Sequence, residues 1–493
     1  MSKWPQTLTW MLMGALVLFG LRHHWIQRQH PYPVEYGEGV NLNWIIRAQT
    51  DAPLYPPVTP ASEAQRHNPY PPLYPFIAAL LNRNTDPAHP FRAARSLSLA
   101  ATLIAAATLF SLIRKRTAAS TAACAVVLFL LSPMMMRFGS MARVDPLGLA
   151  CALLCVWMLD RENTPRQFFL AACLAAAAVL VKPTFIAAPL YVLYRLCQSR
   201  SQRADTAWPA ALICTLAGAL LPVLLVSIRL FSRETPHLLL HLWTLQGLPA
   251  DPAAALSWLA AFSATHAPVL VPAILWAALP VPGGGNNAGP DPLRTYARLT
   301  LLAPCLTAWV SGSQENYLME IWAIACVGAP CFLHNRKPFP IAGVFLQLLL
   351  FLPVAPAPVF TRTYGQELPS GGRSAWTPTR ADAETGYLLQ QEILSLSGEA
   401  APMLSSDPGH LLAAGRDIVY QPYQFERLAQ AGAWDPEPLH TAIAESHFSL
   451  ILLKGLAETA SDPIFSLETQ SLIHTHYELH RVLGPWHLYR PAW

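Results

Sequence analysis

The chain has 493 residues, of which 53% are hydrophobic and 13% charged. Soluble domains carry about 25% charged residues, so a chain this long with so few charges excludes an ordinary soluble globule. A formal net charge of +4, spread along the chain, provides no basic face for nucleic acid.

Apolar stretches approaching the ~20 residues that cross a bilayer as helix recur along the chain. Spans are predicted at about 7–25, 92–113, 117–133, 144–159, 166–181, 184–197, 207–230, 254–281, 295–311, 317–333 and 339–358. Lys3 precedes the first. LRHHWIQRQH follows it without a small-x-small cleavage pattern, so it reads as an uncleaved anchor. Lys182-Pro183-Thr184 marks a tight hairpin or a broken helix.

Charge fixes the sides. With the N-terminus inside, the inner connections are RKR (114–116), DRENTPR (160–166), the segment with Arg195, Arg200 and Arg203, the Gly/Asn loop at 283–294, and HNRK (334–337). Short connections rich in Lys and Arg belong on the cytoplasmic side. The outer side then receives a long first loop (27–90), MMMRFGSMARVD (134–145), Lys182, the loop from Phe231 to Pro252, SGSQENY (311–317) and everything after about Pro358.

Beyond Thr361 the apolar runs shorten to strand length, at 402–407, 416–422, 448–455 and 486–491. Helical patterns lie between them at 382–396, 424–431 and 436–445. That alternation predicts a small C-terminal α/β domain at 359–493, after a membrane domain at 1–358.

Polar clusters concentrate on the outer face. Glu35 and Glu38 stand three apart in HPYPVEYGEGVNLNW, beside Gly37 and Gly39. One of them can serve as a general base for an acceptor hydroxyl or amine; the alternative is a pair of solvated loop acids. YPPLYP (70–75) reads as a rigid interfacial segment with Tyr70 and Tyr74 as anchors. Arg137, Arg143 and Lys182 can clamp a phosphate, with Asp145 orienting an arginine. Otherwise Arg143 and Asp145 form a structural pair and Lys182 snorkels. Gln314, Glu315, Asn316, Tyr317 and Glu320 open a span and can bind hydroxyl-rich or phosphate groups, or serve as an acidic helix start. His237 and His241 have the i, i+4 spacing of metal ligands, but no third ligand is evident, so no metal is expected. The nine cysteines lie in or beside apolar segments without a CxxC, as small apolar residues.

The order of an acidic first loop, PPLYP, ARVDPLGLA and VKPT resembles the membrane glycosyltransferases of the GT-C superfamily. The nearest branch is the family 39-like group of protein O-mannosyltransferase and aminoarabinose transferase relatives. The resemblance implies a mainly α, polytopic fold of about eleven transmembrane helices with an extracytoplasmic α/β domain, in a bacterial inner membrane. It implies a polyprenyl-phosphate sugar donor, a lipid, glycan or protein acceptor, and no cofactor. It also implies that a first-loop acid acts as base and that basic residues hold the carrier phosphate. Relatives show an Asp-Glu pair where this chain has Gly37-Glu38. The expected base is Glu38, at the second position of the pair, with Glu35 as the alternative. Arg143 and Lys182 fall in segments like the family's basic ones; Arg137 and Glu320 match less closely.

Two other classes fit intramembrane charge: a non-catalytic transporter or flippase for a lipid-linked glycan, and a scaffold subunit of the cell envelope. Transport needs neither the long acidic loop nor a large outer domain, and half-repeats that would favour it are not seen.

Overall fold

The computed structural model describes residues 4–492 apart from 51, 84–85, 161–163, 203–206, 231–234, 248–249, 280–290, 308, 310–314, 334–376, 397–401, 456–461 and 463. Helices dominate. The N-terminal part runs through α1 (Trp4–Gln29), α2 (Tyr36–Gln49), α3 (Leu73–Asn82), α4 (Arg92–Arg114), α5 (Ala119–Leu131), α6 (Pro133–Phe138), α7 (Asp145–Leu159) and α8 (Pro165–Val181). It continues with α9 (Ala187–Gln202), α10 (Ala207–Leu230), α11 (Thr235–Leu239), α12 (Pro252–Ala278), α13 (Pro292–Leu299), α14 (Leu302–Thr307) and α15 (Met319–Leu333).

Among the described residues, four stretches are helical, long and apolar enough to cross a membrane: Arg92–Arg114, Trp208–Ile228, Ala255–Ala278 and Glu315–Leu333. Shorter apolar helices include α5, α7 and α8. The protein is an integral membrane protein. The expected span at 295–311 is not continuous: α13 ends at Leu299 and α14 restarts at Leu302. The expected span at 339–358, and the expected domain boundary at 358, lie outside the described residues.

Local chemistry starts the helices where the sequence offers it. Thr164 and Gln167 form a reciprocal capping box at α8, with Pro165 in the first turn. Ser132 caps α6 and Asp291 caps α13, each followed by proline. At the Lys182-Pro183-Thr184 break, α8 ends and a short 3-10 turn, Pro183–Phe185, leads into α9. Helix α7 presses against that turn. A Cβ on Gly148 would lie 2.3 Å from the Phe185 ring, so only glycine allows the approach.

Helix α7 also carries a charged cluster at each end. At its C-terminal end Asp160 binds Arg116 (2.5 Å) and Lys115 (2.8 Å), and Asp291 lies 3.7 Å from Arg116. Three connections expected on the inner side thus meet at one end of the bundle. At the other end, a helix length of about 22 Å away, Asp145 faces Arg143, which in turn reaches Glu35 of the first loop.

The C-terminal part is an α/β unit: α16 (Arg380–Ser395), β1 (Met403–Ser405), α17 (Pro408–Ala413), α18 (Pro422–Gln430), α19 (Glu437–Ala444), β2 (Leu450–Lys454), α20 (Leu467–His476), β3 (Tyr477–Leu483) and β4 (Trp486–Pro491). The sheet order is β1-β2-β4-β3. β1 and β2 are parallel, with Leu404 opposite Ile451, and the other pairs are antiparallel. The expected strand at 416–422 is not in the sheet. Pro422 begins α18, and the backbone before it pairs instead with Gln65 of the first loop.

That pairing is part of a wide seat. Gln65 N–H donates to the Val419 carbonyl (2.7 Å), Gln421 N–H donates to the Gln65 carbonyl (3.0 Å), and Arg66 pairs with Asp417 (2.6 Å). Tyr32 packs on Gly386 and donates to Gln390 (3.0 Å). Gly39 of α2 meets Gly409 of α17 backbone to backbone; a Cβ on Gly39 would lie 2.5 Å from the Gly409 nitrogen. The α/β unit therefore rests on the first loop, beside Glu35 and Glu38.

Candidate functional site

Helix α2 begins at the acidic cluster. Glu35 is its N-cap and accepts from the Gly37 N–H (3.1 Å). One turn on, Glu38 turns inward. Its carboxylate accepts a two-point fork from Arg95 of α4, Nε to Oε1 (2.8 Å) and Nη2 to Oε2 (2.6 Å). The Ala142 N–H fills Oε1 (2.7 Å) and the Val34 N–H fills Oε2 (2.8 Å). Both side chains of the Glu38–Arg95 pair are 0% exposed. Burial would raise this carboxyl, but the Arg95 guanidinium and the two N–H donors hold it below the ordinary carboxylate range. Arg95 is saturated in turn by the carbonyls of Gln27 (3.0 Å), His30 and Tyr32 (2.7 Å). Glu38, the expected base, thus sits in a closed junction of the first loop, α4 and the segment before α7.

Glu35 is placed differently. Its side chain is 10% exposed and faces Arg143, whose Nη1 lies 3.1 Å from Oε2 and 3.5 Å from Oε1. Arg143 crosses the start of α2 where Gly37 has no side chain; a Cβ there would lie 1.6 Å from Nη1. Behind it, Arg143 Nε is 3.7 Å from Asp145 Oδ2. Asp145 Oδ1 accepts from Lys182 (2.6 Å) and Asn316 (3.0 Å). Lys182 Nζ sits 3.9 Å from the centre of the Tyr317 ring. Glu35, Arg143, Asp145 and Lys182 thus form one alternating chain of charge, from the first loop to the end of α8. Ionisable groups at the edge of a membrane bundle are costly unless paired, and this chain pairs them.

Two expected residues stand apart from that chain. Arg137 faces Glu315 at 3.6 Å. Glu320 is buried inside the helix bundle, where Tyr296 of α13 donates to it.

Tyrosines surround the open end. Tyr70 and Tyr317 lie within electrostatic reach of Lys182, and Tyr423 of α18 within reach of Glu35, Arg143 and Tyr317. The Tyr423 ring is 5.7 Å from Tyr36 and carries the Arg427 guanidinium 4.7 Å from its centre. Asp407 caps α17 nearby. Burial, with Glu35 and Glu38 adding to it, pushes its carboxyl up to about 6 against the pull of Lys454.

Sequence reasoning missed Arg95, Tyr423 and Asp407. Arg95 carried a usable signal: a cation in the outer flank of a span runs against the positive-inside rule and calls for a local partner. Asp407 and Tyr423 lie 264 and 280 residues beyond Arg143, and nothing local in their segments points to the site.

His241 accepts from the Asn68 N–H at Nδ1 (3.1 Å) and bonds the Pro56 carbonyl through Nε2 (2.8 Å). Both ring nitrogens of His241 are thus bonded to the first loop. Among the described residues no group of three or more His, Cys, Asp or Glu could hold a metal.

Residues 69–243 match the profile of the dolichyl-phosphate-mannose-protein mannosyltransferase family. No curated protein sequence matches the chain. Among solved structures, ArnT from Cupriavidus metallidurans in the apo state superposes with a TM-score of 0.62 at 12% identity, over 98% of both chains. The same protein bound to undecaprenyl phosphate gives 0.62 at 12% over 97% of both. The chain thus shares the fold of ArnT over nearly its whole length.

Proposed function

We propose that the protein transfers a sugar from a polyprenyl-phosphate donor to an acceptor hydroxyl at the extracytoplasmic face of a bacterial inner membrane. Glu35 is the general base, and Arg143 holds the carrier phosphate. The observation that carries this reading is the open contact of Glu35 with Arg143, next to a Glu38 that is sealed. A base must reach its proton, and of Glu35 and Glu38 only Glu35 is exposed at all.

The chemistry is a single displacement with inversion. The acceptor oxygen bonds to the anomeric carbon as that carbon's bond to the carrier phosphate breaks. The hydroxyl proton passes to the Glu35 carboxylate. The polyprenyl phosphate leaves with its negative charge beside Arg143, within the field of Lys182. Lys182, tied to Asp145, keeps the far end of this cationic wall fixed. Tyr317, Tyr70 and Tyr423 offer ring faces and hydroxyls to the sugar. The carrier's hydrocarbon stays in the bilayer, so its phosphate comes to the interface, where the ends of α7 and α8 lie. The likeness to ArnT, described with undecaprenyl phosphate bound, supports this donor class.

The test is transfer in membranes supplied with a panel of polyprenyl-phosphate sugars. Consumption of at least one donor by the native chain, and not by membranes lacking it, is expected. No consumption of any donor, with the protein present and folded, overturns the reading.

A further inference from the structure

We propose that in the empty protein Glu35 occupies the anion position that the carrier phosphate takes on binding, so that Arg143 serves the two in turn. Phosphate binding and release of the base are then one event. This rests on the transfer reading above and adds an order to it: carrier first, then acceptor.

The two arginine–glutamate pairs of the site make the case by contrast. Arg95 grips Glu38 with two parallel bonds, and backbone donors fill the remaining acceptor positions. Arg143 meets Glu35 through Nη1 alone. Its Nε is buried without a hydrogen-bond partner, 3.7 Å from Asp145 Oδ2. A guanidinium is built to grip an anion with two donors at once, and a tetrahedral phosphate offers the matching oxygens. Arg143 is held by a carboxylate that uses only part of that capacity.

The surroundings leave the exchange possible. Lys182 is committed to Asp145 and Tyr317, and Arg137 faces Glu315, so neither pairs with Glu35. Nη1 lies over Gly37 where any side chain would be in the way. Glu35 and Arg143 are 10% and 9% exposed, where Glu38 and Arg95 are 0%. When Arg143 turns to a phosphate, Glu35 loses its cation and keeps only the Gly37 N–H, leaving lone pairs for an acceptor hydroxyl. A carrier that must displace an internal anion binds more weakly than it would to a free Arg143.

The experiment is a binding measurement with undecaprenyl phosphate, without sugar, on the full-length protein in nanodiscs. Glu35→Gln removes the competing anion and is expected to bind the lipid roughly two- to tenfold more tightly. Arg143→Ala is expected to weaken binding, with Arg143→Lys in between. The double variant is expected to bind no more tightly than Arg143→Ala, because the gain runs through that arginine. Equal or weaker binding by Glu35→Gln overturns the proposal. So does a double variant that keeps the full gain, since that would be a general charge effect. If the native protein transfers sugar and binds the lipid but Glu35→Gln shows no gain, the exchange fails and the transfer reading stands. If the native protein does not bind the lipid phosphate, both fail.

Discussion

Glu38 and Arg95 form a two-point ion pair with neither side chain exposed, and together they bond five backbone groups, four at 27–34 and one at Ala142. A buried pair of this kind is most costly when half of it is removed, because the other charge remains without compensation. Glu38→Gln or Arg95→Met alone is expected to cost about 3–5 kcal/mol, seen as a lower melting temperature in detergent. The double variant is expected to lose less than the sum of the two. Additive losses would mean that the two side chains act separately.

Gly37 lies beneath the Arg143 guanidinium. In Gly37→Ala the new methyl takes the place of Nη1, and the tip of a flexible side chain can move aside. The fold is expected to survive with an unchanged melting temperature, while transfer falls tenfold or more as Arg143 leaves its place. Full activity in Gly37→Ala would remove Arg143 from the site.

Gly39 faces backbone, which cannot yield in the same way. A Cβ there would lie 2.5 Å from the Gly409 nitrogen and 2.6 Å from its Cα. Gly39→Ala is expected to lift the α/β unit off the first loop, read as faster release of a C-terminal fragment by limited proteolysis. An unchanged digestion pattern would show that the seat is held elsewhere.

Asp407 gives a pH dependence whose sign follows from its raised carboxyl, about 6 against an ordinary 3.8. Below about 3.8 the group is protonated in both folded and unfolded chains. Between that value and about 6 the unfolded chain loses the proton first, so its contribution to stability falls as pH rises. Above 6 the loss is complete, at about 3 kcal/mol at most. Asp407→Asn retains a capping side chain and removes this slope. It is expected to be more stable than the native chain at pH 7.5, with the advantage gone near pH 4. An advantage independent of pH would show that the Asp407 charge is not its source.

Much of the helical frame was legible because apolar length is a local property. The spans expected at 92–113, 144–159, 166–181 and 207–230 lie within a residue or so of α4, α7, α8 and α10. The pairing of charged connections also followed, since Lys115, Arg116, Asp160 and Asp291 all come from connections assigned to one side. The break at Thr300 and Leu301 was hidden because neither proline nor glycine stands at it, although Arg294, Thr295 and Arg298 make the turn before it polar. Strand β3 was hidden for another reason. A register shift between Leu479 and Arg481 interrupts its alternation, and most of its side chains are exposed. At the site, residue types indicated an acid and a set of cations but not their pairing. Glu38 meets Arg95 at a separation of 57 residues and the Ala142 N–H at 104, and only that closure tells it apart from Glu35.

The central claim is that Glu35, and not Glu38, takes the acceptor's proton. The most direct measurement is single-turnover transfer from a polyprenyl-phosphate sugar by purified Glu35→Gln, with binding of the carrier lipid followed in parallel. The account predicts a loss of roughly 10²–10⁴ in rate, with the protein folded and the carrier still bound. A Glu35→Gln variant that binds the carrier and transfers sugar at the native rate would contradict it.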